Sequence, residues 1–318
     1  MKALFLGLLC VSLSLRAEPP IRELTTQAVP FAHSIVPLFR HGYLVLFPPG
    51  GAQGSSLSLS KFGFTAYRPD GLFAYQKTLE VPGGTEPVVR DVDFDSDGNA
   101  AVAASALAGP SSFLSGILLL DRAGVDTAFI NTGRYLPARI AIAPDRSIWT
   151  LGSQRDAQSA RPDRQDYKIV RHFSADGKEL NAYLPRSSFP PGLEPGIDGP
   201  GVDIHVTNDR VGILAYSGQT GASDEWIELD WNGNLLGRYR VDAAEFTAFT
   251  ADDHVYLTGP RGPKVRSVFT LDHASQTWKV TPQQAPGTLM GADGNTLVYS
   301  VGKNVGPILL QWFNQPEP

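Results

Sequence analysis

Five polar residues fall at positions that β-strand alternation would normally give to apolar ones: Asp91, Asp93, Arg139, Asp203 and His205. Asp91, Asp203 and His205 form a donor set able to hold a divalent cation, with Arg139 beside it to orient an anionic or carbonyl substrate. The same five side chains could bind a sugar or peptide without chemistry. They could equally form an Asp–Arg–Asp network that satisfies buried polar groups. Trp226 joins the ligand-binding candidates because it follows the long segment Gly218–Asp224. Other chemistry finds little support. Cys10 is the only cysteine and lies in the N-terminal apolar run, so the rest of the chain has no thiolate nucleophile and no cysteine metal site. No Gly-x-Ser-x-Gly elbow, His-Glu-x-x-His pair, Walker-type loop or dinucleotide fingerprint is present. Asp93, Asp95, Asp97 and Gly98 match the opening of a calcium loop, but Ala104 stands where a bidentate Glu is required. That stretch reads as a hairpin turn.

Side chains so far apart in the chain need a repeating scaffold to bring them together. Six eleven-residue stretches share one pattern: LFRHGYLVLFP from Leu38, FDSDGNAAVAA from Phe94, IAPDRSIWTLG from Ile142, VTNDRVGILAY from Val206, FTADDHVYLTG from Phe249 and MGADGNTLVYS from Met290. Each runs from an apolar residue through a polar tight turn into a β-rich segment, and Asp97-Gly98 and Asp293-Gly294 are strong hairpin signals. A second hairpin follows most of them, centred near Gly71, Gly124, Gly177, Gly233 and Ala274. Two hairpins per repeat make four strands, and a repeat of 41 to 64 residues is the length of a propeller blade with loop insertions. The fold class expected is all-β, a six-bladed β-propeller of four-stranded antiparallel blades. The sixth repeat ends one strand short, and the segment IRELTTQ near the N-terminus is expected to supply that strand and close the ring.

Counting back from each turn aligns the innermost strands. The positions seven back hold Asp91, Arg139 and Asp203, expected near the channel mouth; those five back hold Asp93 and His205, expected deeper. Ser105–Ser115, Gln154–Tyr167, Pro185–Gly201 and Gly218–Asp224 are expected as long loops on one face, where a rigid ring usually carries its binding surface.

VVRDVDFDSDGNAAVAAS resembles the NHL repeat, and IVRHFSADGKELNAYL and WIELDWNGNLLGRYRV resemble its outer hairpin. Six-bladed rings of this superfamily include gluconolactonase-like hydrolases and many exported proteins. The resemblance implies the fold, and for the hydrolases a metal held by a first-blade acid together with Asn and Asp from later blades. Ile35 and Pro37 stand where that first acid should be.

The chain of 318 residues carries a net charge of −5, which weighs against nucleic acid or an anionic membrane surface as partner. Lys2 followed by the apolar run Ala3–Leu15 reads as a secretory signal, with residues 1–17 removed and 18–318 forming a single propeller domain. The run is too short to span a bilayer, so no transmembrane anchor is expected after cleavage. The expected location is secreted or periplasmic. Two functions follow. One is an exported scaffold that binds a protein, peptide or glycan on its loop face and needs no cofactor. The other is a metal-dependent lactonase-like hydrolase using a divalent cation at the channel mouth.

Overall fold

The alternating apolar positions and turn residues of each repeat form a β-meander. The computed structural model describes residues 19–26, 37–47, 63–109, 112–154, 166–189, 202–215, 224–241, 244, 246–262, 265–302 and 307–316. Blade one contains β2 (Leu38–Arg40), β3 (Tyr43–Leu46), β4 (Gly63–Tyr67) and β5 (Phe73–Thr78). Blade two contains β6 (Thr85–Phe94), β7 (Ala100–Gly109), β8 (Ser112–Leu120) and β9 (Asp126–Asn131). Blade three contains β10 (Tyr135–Ile142), β11 (Ile148–Gln154), β12 (Lys168–Phe173) and β13 (Glu179–Pro185). Blade four contains β14 (Asp203–Val206), β15 (Arg210–Ala215), β16 (Asp224–Asp230) and β17 (Leu235–Val241). Blade five contains β18 (Phe246–Phe249), β19 (Val255–Gly262), β20 (Val265–Asp272) and β21 (Thr277–Gln284). Blade six contains β22 (Thr288–Asp293), β23 (Thr296–Val301) and β24 (Leu309–Asn314), with β1 (Arg22–Thr25) as its fourth strand.

All six sheets are antiparallel, and their inner strands succeed one another around an axis: β6 lies beside β10, β10 beside β14, β14 beside β18, β18 beside β22, and β22 beside β2. β1 pairs antiparallel with β24, from Arg22 opposite Trp312 to Thr25 opposite Leu309, so the two ends of the chain meet in one sheet. This removes a free edge from β24.

The core lies between blades. Val45, Phe64 and Leu79 of the first repeat pack with Val92, Phe94 and Val102 of the second, and Trp149 and Ile169 of the third pack with Ile204 and Ile213 of the fourth. Each large side chain buried this way contributes roughly 1.5–3 kcal/mol.

The inner turns show why their residue types recur. Gly42, Gly98 and Gly294 have φ of 83°, 86° and 58°, and Arg146 and Asp253 take the same left-handed conformation at 69° and 63°. Arg210, the sixth equivalent, begins β15 instead, and a tighter turn from Thr207 carries the reversal.

The outer turns pack onto the preceding blade. A Cβ on Gly124 would lie 2.5 Å from the Tyr75 ring of β5, and one on Gly233 would collide with Tyr183 of β13. In blade five, where no glycine stands, His273 meets Tyr239 of β17 edge-on, with ring centroids 5.7 Å apart.

One expectation needs correction. Ser105–Ser115 is not a loop, because β7 and β8 continue as a paired ladder to Gly109 opposite Ser112. Thr85 of β6 also joins this extension, opposite Leu107. The expected signal segment (1–17) and most of the other three long loops lie outside the described residues.

Candidate functional site

Asp91 and Asp93 lie on β6, both almost wholly buried. Their spacing matches that of alternate residues on the neighbouring strand. Asp91 Oδ2 accepts the backbone N–H of Ile140 at 3.0 Å, and Asp93 Oδ2 accepts that of Ile142 at 2.6 Å. Inner strand β10 has a ladder partner only on its outer side, so its axial N–H groups need other acceptors. The two aspartates of blade two supply them. Asp91 Oδ1 also accepts from Val92 N at 3.0 Å.

The axis itself is crossed by Arg40, the last residue of β2. Its Nη2 donates to Asp203 Oδ1 at 2.7 Å, joining blade one to blade four on the opposite side of the ring. The two side chains are only 10% and 17% exposed. Asp203 Oδ1 also accepts the N–H of Ile204, while Oδ2 lies 3.2 Å from His205 Nε2. That same nitrogen lies 2.8 Å from Thr247 Oγ1 of β18. Arg139 turns to backbone carbonyls, donating from Nε to Val202 O at 2.6 Å and from Nη1 to Ala138 O at 2.9 Å. His41 Nδ1 faces Asp93 Oδ1 at 3.2 Å.

The electrostatics follow from this geometry. Burial pushes the Asp91 carboxyl up to about 6, against the pull of Arg40 and Arg139. Burial acts on Asp203 in the same direction, but Arg40, His205 and Arg139 outweigh it and hold that carboxyl well below the usual range. Burial opposes the charge on Arg40, yet Asp203, Asp91 and Asp93 together keep the guanidinium protonated. The nearby Asp93 carboxylate raises His41.

The structure therefore brings Asp203 and His205 into contact and sets Asp91 and Asp93 within the field of Arg40, but among the described residues it does not assemble a cation site. Asp203 is engaged at both oxygens, and Asp91 is engaged by two backbone donors. The Arg40 guanidinium supplies the positive charge on which these carboxylates converge. Among the described residues no three His, Cys, Asp or Glu side chains are grouped to hold a metal ion. The donors present do not fit the divalent cation that the hydrolase resemblance implies. Nor do Thr247, His205 and Asp203 form a proton relay. A relay needs the hydroxyl and the carboxylate on different ring nitrogens, and here both approach Nε2.

Trp226 lies elsewhere than expected. It is 0% exposed, packs edge-on against Phe249 at 5.6 Å and donates from Nε1 to Glu228 Oε1 at 2.8 Å. Its side chain has no surface to offer a ligand. It follows the long segment in sequence but belongs to the middle of a sheet, where alternation turns its ring inward. Two histidines of the outer hairpins are also engaged. His172 stacks on Trp149 at 4.0 Å, and His273 bonds the buried Glu228 at 2.9 Å. The aspartate-rich stretch of blade two is a turn: Asp95 accepts from the backbone N–H groups of Asp97 and Asn99.

Arg40 escaped the sequence reading because it sits in a polar tight turn, where a cation is ordinarily solvated. A signal was available. Two residues before the aligned turn position stand Arg40, Ser96, Pro144, Asn208, Ala251 and Ala292, and Arg40 alone is charged.

No family model matches the sequence, and no curated protein matches it. The chain is similar to several solved structures. A protein of unknown function from Bacteroides caccae is 12% identical over 82% of this chain and 83% of that one, with a TM-score of 0.49. The soluble aldose sugar dehydrogenase of Escherichia coli is 12% identical over 93% and 99%, also at 0.49. A gluconolactonase from Xanthomonas campestris is 14% identical over 93% and 97%, at 0.47. The resemblance to six-bladed gluconolactonase-like propellers holds for the fold, and the six sheets of this chain carry it. Nothing about activity follows from likeness at this level.

Proposed function

We propose that this protein is an exported, non-catalytic propeller scaffold that binds a protein, peptide or glycan on the loop face of its ring. The observation that supports this reading is Arg40, which crosses the axis to bond Asp203 and sets its positive charge beside Asp91 and Asp93, the carboxylates a catalytic cation would need. Carboxylates already engaged by backbone N–H groups, an imidazole and a guanidinium stiffen a ring and keep little free valence for a cation. Export is supported by Lys2 and the apolar run Ala3–Leu15, and among the described residues no helix is long and apolar enough to cross a membrane. A secreted or periplasmic location follows from the same residues.

Elemental analysis of the purified protein, together with turnover assays on a panel of aldonolactones with added calcium or zinc, tests the reading. Substoichiometric metal and no turnover is the expected result. A stoichiometric divalent ion that disappears in Asp203→Ala, together with lactone hydrolysis, would overturn it in favour of the metal-dependent hydrolase.

A further inference from the structure

A groove of about 560 Å3 lies on the rim between blades one and two, away from the axial lattice. Leu79, Val81 and Leu118 line it and are buried, and the partly buried Phe129 joins them. Glu80 and Asp126 stand exposed among its lining residues, which include no Lys, Arg or His. Asp126 is paired with Lys77 at 2.5 Å, and Glu80 adds a second carboxylate. Glu86 lies next to Pro87, another lining residue, and is held at φ 49° beside a bulge in β6. A non-glycine residue is rarely left-handed, and a following proline disfavours helical backbone there still further, so the surrounding structure must hold this backbone turn in place.

The groove is lined by an outer strand that, among the described residues, has no second strand beside it. Asp126, Thr127, Ala128 and Phe129 of β9 line it, and β9 is paired only with β8. Native edge strands are commonly shielded by charged side chains, above all basic ones such as Lys and Arg, or by Pro, a bulge or a covering segment. Five of the six outer strands follow this: β1 has Arg22, β5 Lys77, β13 Pro185, β17 Arg238 and Arg240, and β21 Lys279. β9, with sequence DTAFIN, has no Lys, Arg or Pro. Main-chain groups along an open edge take another strand, an apolar floor takes alternate side chains, and acidic rims take basic ones.

The geometry points to this groove as a docking site for an extended basic–apolar peptide segment of another protein, added to β9 as a fifth strand of blade two. It rests on observations separate from those at the axis. A fluorescein-labelled peptide of alternating Val and Lys, with its Val/Glu counterpart as control, is titrated into the full-length protein. Saturable, salt-sensitive anisotropy for the Val/Lys peptide alone is expected, together with increased hydrogen-exchange protection of the β9 amides. Ala128→Lys, at an exposed position of the edge, should weaken binding by about tenfold or more, and Glu80→Gln, which changes charge with little change of shape, by about threefold. No saturation up to about 1 mM, equal binding of the acidic peptide, or binding unchanged by both variants would overturn the proposal. Binding without added protection in β9 would overturn strand addition.

Discussion

Arg40 and Asp203 are charged groups held away from water, so removing either one strands the other. Asp203→Ala is expected to cost about 3–5 kcal/mol in denaturant unfolding, while Arg40→Met combined with Asp203→Leu should cost far less than the sum of the single changes. A double-variant cost equal to the sum of the two single costs would show that the pair is not coupled. The two buried aspartates impose opposite pH dependences. The folded-state value of Asp91, raised from 3.8 to about 6, means that the native protein binds more protons than the unfolded chain across that window. Its contribution to stability therefore falls as pH rises from about 4 to about 6. Asp203 is depressed, so its contribution is present above about 4 and is lost as pH falls below that. Asp91→Asn should flatten the stability profile between about pH 4 and 6, as measured by unfolding midpoints, and leave the acid limb in place. A profile unchanged by this substitution would contradict the burial argument.

At the level of elements, the outer turns decide how closely one blade can approach the next. Gly124 combines φ of 79° with the Tyr75 ring lying directly over it, so Gly124→Ala introduces both backbone strain and a collision. It should destabilise the protein by roughly 1–3 kcal/mol. Gly133, whose φ is 64° but which has nothing within 4 Å, isolates the backbone component, and Gly133→Ala should cost less. Thermal melts of the two variants compare these terms directly. Glu228 shows a different interblade joint. Buried on β16, it accepts from Trp226, Arg210 and His273, tying blade four to a turn of blade five. Its carboxyl is kept low although burial alone would raise it, because His273, Trp226 and Arg210 stabilise the anion.

For the whole molecule, ring closure depends on four residues near the N-terminus. β1 supplies the outer strand of blade six, Arg22 stacks over Trp312 at 4.3 Å, and Thr26 Oγ1 accepts the N–H of Ile308. A chain beginning after Thr26 would leave β24 as an open, strongly apolar edge. It is expected to elute as oligomers on size exclusion and to unfold less cooperatively than the full chain. A monomer with an unchanged melting transition would show that closure contributes little to stability.

Much of this architecture could be read from local chemistry. Asp-Gly turns, period-two alternation and a repeat of blade length depend on residues near one another in the chain, and these suffice to define six four-stranded sheets. Counting back from the turns likewise found Asp91, Asp93, Arg139, Asp203 and His205 on the inner strands, since strand register is a local property. What those residues do depended on the ring. Arg40 meets Asp203 at a separation of 163 positions in the chain, and Asp91 reaches Ile140 across a blade boundary. Trp226 turned inward because neighbouring strands and the next blade cover both sides of its sheet. Partners across the axis carry no mark on one another in the chain. Only closure of the ring sets the Arg40 guanidinium among carboxylates that, read one by one, are metal donors.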